Sequence, residues 1–230
     1  MKRLIVGISG ASGVIYGIRL LEVLRLVDGV ETHLVMSNAA RVTTTLETDY
    51  LVEQVEALAD HFYRPGDIAA AISSGSFRSS GMVVVPCSIK TLAGIATSFS
   101  DNLLLRAADV TLKERRRLVL LVRETPMHLG HLKLLVQVAE LGAVIMPPVP
   151  AFYHRPATLA EVIDQTVNRT LDLLDIELDV DLFTRWDGPV RRHGHQQDAE
   201  TAGMPDTRSA EQAPPLKANG HASQVLARAQ

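Results

Sequence analysis

The chain has 230 residues, of which 47% are hydrophobic and 21% charged, and a net charge of −3. These are the proportions of an ordinary soluble globular protein, long enough for a large core within one domain. They argue against nucleic acid or an anionic membrane as partner. No run reaches the ~18 apolar residues of a membrane span. One cysteine, Cys87, rules out an intrachain disulfide. The stretch after Met1 is too short and too rich in glycine for a signal segment, so a cytoplasmic location is expected.

Leu4, Ile5, Val6 and Ile8 form a β-branched run, the mark of a strand buried on both faces. Gly7, Gly10 and Gly13 punctuate the turn that follows, with Ser9 and Ser12 between them. Helical periodicity then runs through Val27. Strand, Gly/Ser turn and helix N-terminus make a place for an anion, because unpaired N–H groups and the helix dipole converge there. The spacing Gly-x-x-Gly-x-x-Gly matches neither the dinucleotide fingerprint nor a P-loop. Taken alone, the segment is either a phosphate cradle or a plain tight connection.

Val30–Met36 reads as a second strand, ending at Ser37-Asn38, which are good N-cap residues for a helix over Ala39–Thr45. A nicotinamide-binding fold would place an acid at the end of this strand. Ser37 stands there instead and favours a smaller phosphorylated ligand. Thr48–Ala59 predicts an exposed helix, and Tyr63–Ser80 an irregular Gly/Ser-rich loop beside the active site. Met82–Pro86 is a buried strand that Pro86 brings to an end. Cys87 to Thr91 and a helix over Leu92–Thr97 form a second strand-to-helix turn suited to phosphate. The thiol at this strand end fits small packing better than a nucleophile.

Asn102–Arg115 is a helix with Arg106, Asp109 and Lys113 on one stripe. The strand Arg117–Val122 runs directly into Arg123-Glu124, which therefore stand where a parallel strand ends and open α/β sheets bind ligands. A helix over Leu129–Leu141, closed by Gly142, precedes a short strand, Ala143–Met146. Four prolines between Pro147 and Pro156 stiffen a loop that presents Phe152 and Tyr153. Thr158 and Glu161 form a capping box for the last helix, on which Arg169 is expected to be partly buried and to need an anionic partner. From Gly188 onward there is no aromatic residue, and a disordered tail is expected over 188–230. His193 and His195 belong to it. No Cys or carboxylate cluster joins His128 and His131 into a metal site. Residues 1–187 then make a single doubly wound α/β domain with a mostly parallel, Rossmann-like sheet.

Assembled in order, these segments closely resemble the UbiX-type flavin prenyltransferases. The likeness lies in Gly7-Ile-Ser-Gly-Ala-Ser-Gly13, Ser37-Asn-Ala-Ala40, Glu47-Thr-Asp49 and Pro86-Cys-Ser88. It continues through Arg106-Ala-Ala-Asp-Val110, Leu112-Lys-Glu-Arg-Arg116, Arg123-Glu-Thr-Pro126 and Pro150-Ala-Phe-Tyr153. The Ser74-Gly-Ser-Phe77 loop is most similar to the branch that accompanies aromatic-acid decarboxylases. The resemblance implies metal-independent transfer of a dimethylallyl group from dimethylallyl phosphate to N5 and then C6 of reduced FMN. The prenylated flavin would serve a UbiD-type decarboxylase, and the protein would be a homo-oligomer, commonly a dodecamer, with its site between subunits. By position, Gly10, Ala11, Ser12, Ser37, Ser88, Ile89, Lys90, Thr91 and Arg123 would bind FMN. Arg106, Lys113, Tyr153 and Arg169 would hold the allylic phosphate. Ser12 and Glu47 would relay the N5 proton, while Lys113 and Glu124 would act during turnover. Two other readings share the fold: a flavin-carrying subunit without turnover, and a flavin-dependent cysteine-type decarboxylase. The latter carries Pro-Ala-Ser-Ala-Asn-Thr where this chain has Pro86-Cys-Ser-Ile-Lys-Thr91.

Overall fold

In this computed structural model, which describes residues 1–188, six strands form one parallel sheet. They are β1 (Lys2–Ile8), β2 (Val30–Met36), β3 (His61–Tyr63), β4 (Gly81–Cys87), β5 (Arg117–Val122) and β6 (Val144–Ile145), ordered β3-β2-β1-β4-β5-β6. Seven helices connect and cover them: α1 (Val14–Leu24), α2 (Asn38–Glu47), α3 (Val52–Glu56), α4 (Ile89–Ala96), α5 (Leu103–Lys113), α6 (Leu129–Glu140) and α7 (Leu159–Leu173). No described helix is long and apolar enough to cross a membrane. The tail expected from 188 onward lies, apart from Gly188, outside the described residues.

Both faces of the sheet are buried, and alternation along β1 divides the core. Leu4, Val6 and Ile8 point into a cluster with Ile18 and Leu21 of α1 and with Val167 and Leu171 of α7. Ile5 points the other way, toward Leu92 of α4 and Leu104 of α5. The chain winds from β1 out to β3 and then crosses to β4 and winds the opposite way. The reversal leaves a crevice at the carboxyl ends of β1 and β4, where open α/β sheets hold ligands.

Strands β2 and β5 match their expected bounds, most other elements shift by one to three residues at an end, and four features differ in kind. The expected helix over Thr48–Ala59 shrinks to the five residues of α3, because Thr48 is extended (φ −139, ψ 163) and ends α2. The loop expected from Tyr63 conceals β3, too short for alternation to register, which Asp60 anchors by accepting from the Thr32 N–H (2.7 Å) and hydroxyl (2.8 Å). Pro86 does not end β4. The strand runs on to Cys87, which pairs with Val122, and the missing Pro86 N–H falls within a register irregularity between Val84 and Cys87. Thr158 caps α7 by accepting from the Glu161 N–H (3.2 Å), but the Glu161 carboxylate reaches Ala157 N–H (2.7 Å) rather than closing a box on Thr158.

Helix α1 lies close against the sheet at Gly17, where an added Cβ would stand 2.5 Å from the Val85 carbonyl oxygen and 2.9 Å from Ile8 Cδ1. Backbone cannot yield as a side chain does. Gly17→Ala is expected to cost about 1–3 kcal/mol, as overpacking does. At fixed protein concentration this appears as a lower urea midpoint with unchanged slope. An unchanged midpoint would show that α1 slides freely.

Candidate active site

Three helices begin at the crevice, each with amide groups that lack intrahelical partners. Helix α1 starts at Gly13, whose left-handed backbone (φ 98, ψ 31) suits glycine and which offers no side-chain cap. Helix α2 starts at Ser37, which accepts from Ala40 N–H (3.0 Å), and α4 at Ser88, which accepts from Thr91 N–H (3.3 Å) and donates to Thr91 Oγ1 (3.1 Å). The Ser37 hydroxyl thus keeps its hydrogen free for a ligand. Gly10 has no room for a Cβ, which would lie 2.3 Å from that of Ala39, so the first and second loops touch. Amides at three helix starts and two hydroxyls, with Arg123 next in the chain after β5, are groups that could hold a phosphate.

Ser9, to which the sequence assigned no role, holds this edge together. It is 1% exposed; its hydroxyl donates to the Pro86 carbonyl (2.9 Å) and accepts from Ser88 N–H (2.8 Å). Backbone bonds from Ser37 N–H to Ile8 O (2.9 Å) and from Arg123 N–H to Cys87 O (3.0 Å) extend the register to all four loops. Cys87 is fully buried, and burial pushes its thiol pKa well up, so it is packing rather than a nucleophile.

Glu47, the last residue of α2, sets its carboxylate on Gly13 N–H (2.8 Å), one residue from Ser12. A carboxylate at a helix N-terminus is favoured by the dipole. Glu47 thus lies near Ser12 in the loop, with its hydrogen bond made to the Gly13 amide and not to the Ser12 hydroxyl. Ser12 is exposed and faces the open side of the loop.

The phosphate-directed residues sit elsewhere. Arg106 donates to Ser73 O (3.1 Å) and pairs with Asp109 (3.0 Å), and Lys113 pairs with Glu114 beside Gly75. Lys113 closes α5 just before β5 begins, whereas Arg123 follows the end of β5. A six-residue strand spans about 20 Å, so one chain does not bring the two together.

A third group lies in the C-terminal segment. Tyr153 is 5.9 Å, centroid to centroid, from Trp186 and 6.5 Å from Phe183. Arg169 is exposed, not partly buried as expected, because its position falls outside the apolar stripe of α7. Its anionic partner is Asp172 (2.7 Å), which also accepts from Arg185 at 2.8 Å on both oxygens. Hydrogen bonds from Arg185 hold the Asp172 carboxyl below the usual range. Neither Asp172 nor Arg185 was marked in the sequence; an acid three residues after Arg169 was the available signal. Glu124 accepts from Thr125 N–H (2.9 Å), and among the described residues neither Glu124 nor Arg123 forms an ion pair. A further grouping that the sequence left unmarked, Glu31, His33 and His61, lies away from this edge.

Because Ser9 ties two loops that would share one ligand, Ser9→Ala is expected to cost about 1–3 kcal/mol of stability through the unpaired Ser88 N–H. FMN affinity should fall roughly tenfold. Flavin fluorescence titration checks this, and full affinity in the variant would show that the loops keep register without the staple.

A family model described as Flavoprotein matches residues 1–171. The flavin prenyltransferase UbiX of Escherichia coli (strain K12) is 69% identical over 188 residues, covering 82% of this chain and 100% of its own length. The crystal structure of AnUbiX (PadA1) in complex with FMN and dimethylallyl pyrophosphate superposes with a TM-score of 0.78 at 53% identity, covering 81% of this chain and 98% of that one. A dodecameric FMN-dependent UbiX-like decarboxylase from Escherichia coli O157:H7 gives 0.77 at 48% identity, covering 81% of this chain and 100% of that one. Identity at this level over the whole length of the relatives makes the chain a member of the UbiX flavin prenyltransferase family.

Proposed function

We propose that the protein joins a dimethylallyl group from dimethylallyl phosphate to N5 and C6 of reduced FMN, and that the product is passed to a UbiD-type decarboxylase. The observation that carries this reading is the ligand edge itself: three helix N-termini and Arg123 meet at the strand reversal, with Glu47 lodged beside Ser12. Reduced flavin supplies the nucleophile, N5. The loop amides, Ser37, Ser88 and Arg123 bind and orient its phosphate end. Glu47, through Ser12, receives the N5 proton.

Departure of the allylic phosphate increases the charge on its oxygens, so fixed cations favour departure over the bound state. Tyr153 and Arg169 hold this phosphate, and the Phe152-Tyr153 loop shields the allyl group from water. Lys113 and Arg106 reach it from a neighbouring copy, since their own chain carries them to the far end of β5. The dodecameric relative supports a ring of such shared sites. Glu124, a carboxylate beside a phosphate, is electrostatically misplaced unless it exchanges a proton with that phosphate or accepts one at ring closure.

Anaerobic incubation with reduced FMN and dimethylallyl phosphate is expected to yield a flavin heavier by one C5 unit, while oxidised FMN stays unchanged. Dimethylallyl diphosphate in a parallel reaction establishes the donor. Binding without a mass change under reducing conditions would favour a flavin carrier.

Lys113→Ala and Arg169→Ala should keep FMN affinity and lose about 2–4 kcal/mol of transition-state stabilisation. Full turnover in either variant would remove that residue from the site. Glu124→Gln keeps shape but cannot carry a proton, and single-turnover prenylation should slow ~10²-fold. A Gln variant as fast as wild type beside an inactive Ala variant would make Glu124 an orienting group.

A further inference from the structure

Two histidines and a carboxylate meet on one face of the sheet, near its β3 edge. Parallel register sets His33 of β2 opposite His61 of β3, and Glu31 stands two residues before His33, hence on the same face. Tyr63, two residues after His61, completes the row. Glu31 Oε1 is 2.9 Å from His61 Nε2 and 3.2 Å from His33 Nε2, and the three donor atoms lie within 4.8 Å of one another. Adjacent ligands of a tetrahedral ion with ~2.0 Å bonds stand about 3.3 Å apart. The His33 and His61 rings lie stacked, 4.7 Å between centroids and 13° from parallel, so sharing one ion needs the side chains to turn toward Glu31 but not the backbone to move.

His33 is the telling residue. It is 2% exposed, and its Nδ1 lies 3.0 Å from the Tyr63 hydroxyl. Its Nε2 is buried with no hydrogen-bond partner, although it faces the Glu31 carboxylate. A buried imidazole nitrogen left unpaired is costly in a folded chain. Occupation by a cation resolves it: Nδ1–H donates to Tyr63, fixing the tautomer, and Nε2 offers its lone pair. The Arg3 guanidinium donates to the other Glu31 oxygen, Oε2 (3.2 Å), so Oε1 is the oxygen turned to the two imidazoles, and Arg3 stands 5.1 Å above the Phe77 ring, which meets His33 edge-on.

From these contacts we infer that Glu31, His33 and His61 form a binding site for Zn²⁺ or a like divalent transition-metal ion, clamping edge strand β3 to β2. Two imidazoles and one carboxylate are a zinc donor set, and the half-exposed His61 leaves a fourth position open to water. His33 lies four residues before Ser37, about 13 Å along β2 from the ligand edge, so the ion takes no part in prenyl transfer. Its role is to order β3 and the segment that follows it.

The test uses the full-length chain, stripped with a chelator and titrated with Co²⁺, whose visible absorption reports coordination, followed by displacement with Zn²⁺. Wild type should bind one equivalent that His61→Ala and Glu31→Gln lose, with affinity lower by at least ~100-fold, and Tyr63→Phe should weaken binding ~10-fold. Zn²⁺ should raise the melting temperature of wild type but not of His61→Ala, whose exposed side chain can be removed without opening the core. Tail histidines bind equally in all variants and cancel in the comparison. Prenylation should be the same with and without the ion. Identical cobalt spectra and stoichiometry in wild type and both ligand variants, or no cobalt binding to wild type, would overturn the site.

Discussion

The ligand edge depends on β1 and β4 lying side by side with their ends in register. Neither strand is long, and each leads into a helix whose first amides have no partner of their own. The buried Ser9 hydroxyl, at the end of β1, ties the two ends together by donating to the Pro86 carbonyl and accepting from the Ser88 N–H. With that contact in place, β2 and β5 follow by ordinary ladder pairing, and the loops after four strands present one continuous surface. The glycines serve the same geometry. Gly10 admits the loop after β2, and Gly17 lets α1 approach β4.

Charge is arranged by region. The crevice itself carries Arg123, hydroxyls and amides, and the one carboxylate bonded into it, Glu47, is spent on the first amide of α1. Arg169 and Arg185 are neutralised by Asp172 and Asp181 along the C-terminal segment. Arg106 and Lys113 are neutralised by Asp109 and Glu114. Any anion that binds at one of these cations must therefore displace a carboxylate, and exposed pairs of this kind hold weakly enough to be displaced.

Much of this was legible beforehand for identifiable reasons. β2 and β5 were read to the residue because their apolar runs are flanked by turn or charged residues. Ser37 as a cap was readable because capping is local. β3 was not, since three residues carry too little pattern and its anchor, Asp60 to Thr32, spans 28 positions. The role of Ser9 was hidden for the same reason, since it depends on what lies across the fold, whereas the exposure of Arg169 follows from its place outside the apolar stripe of α7. The Glu31–His33–His61 grouping exists only because of strand register, which spacing within one strand cannot reveal.

Placing Lys113 and Arg123 at opposite ends of one strand has a genetic consequence. A rigid six-residue strand keeps them farther apart than a small allylic phosphate can bridge. If one site uses both, as proposed above, it draws them from two copies, and every copy then contributes to two different sites. A copy defective at Lys113 would then spoil a neighbour's site while keeping its own flavin loops whole. Mixed with copies defective at Arg123, it would generate some sites with every residue intact, and two inactive alleles would restore each other in one assembly.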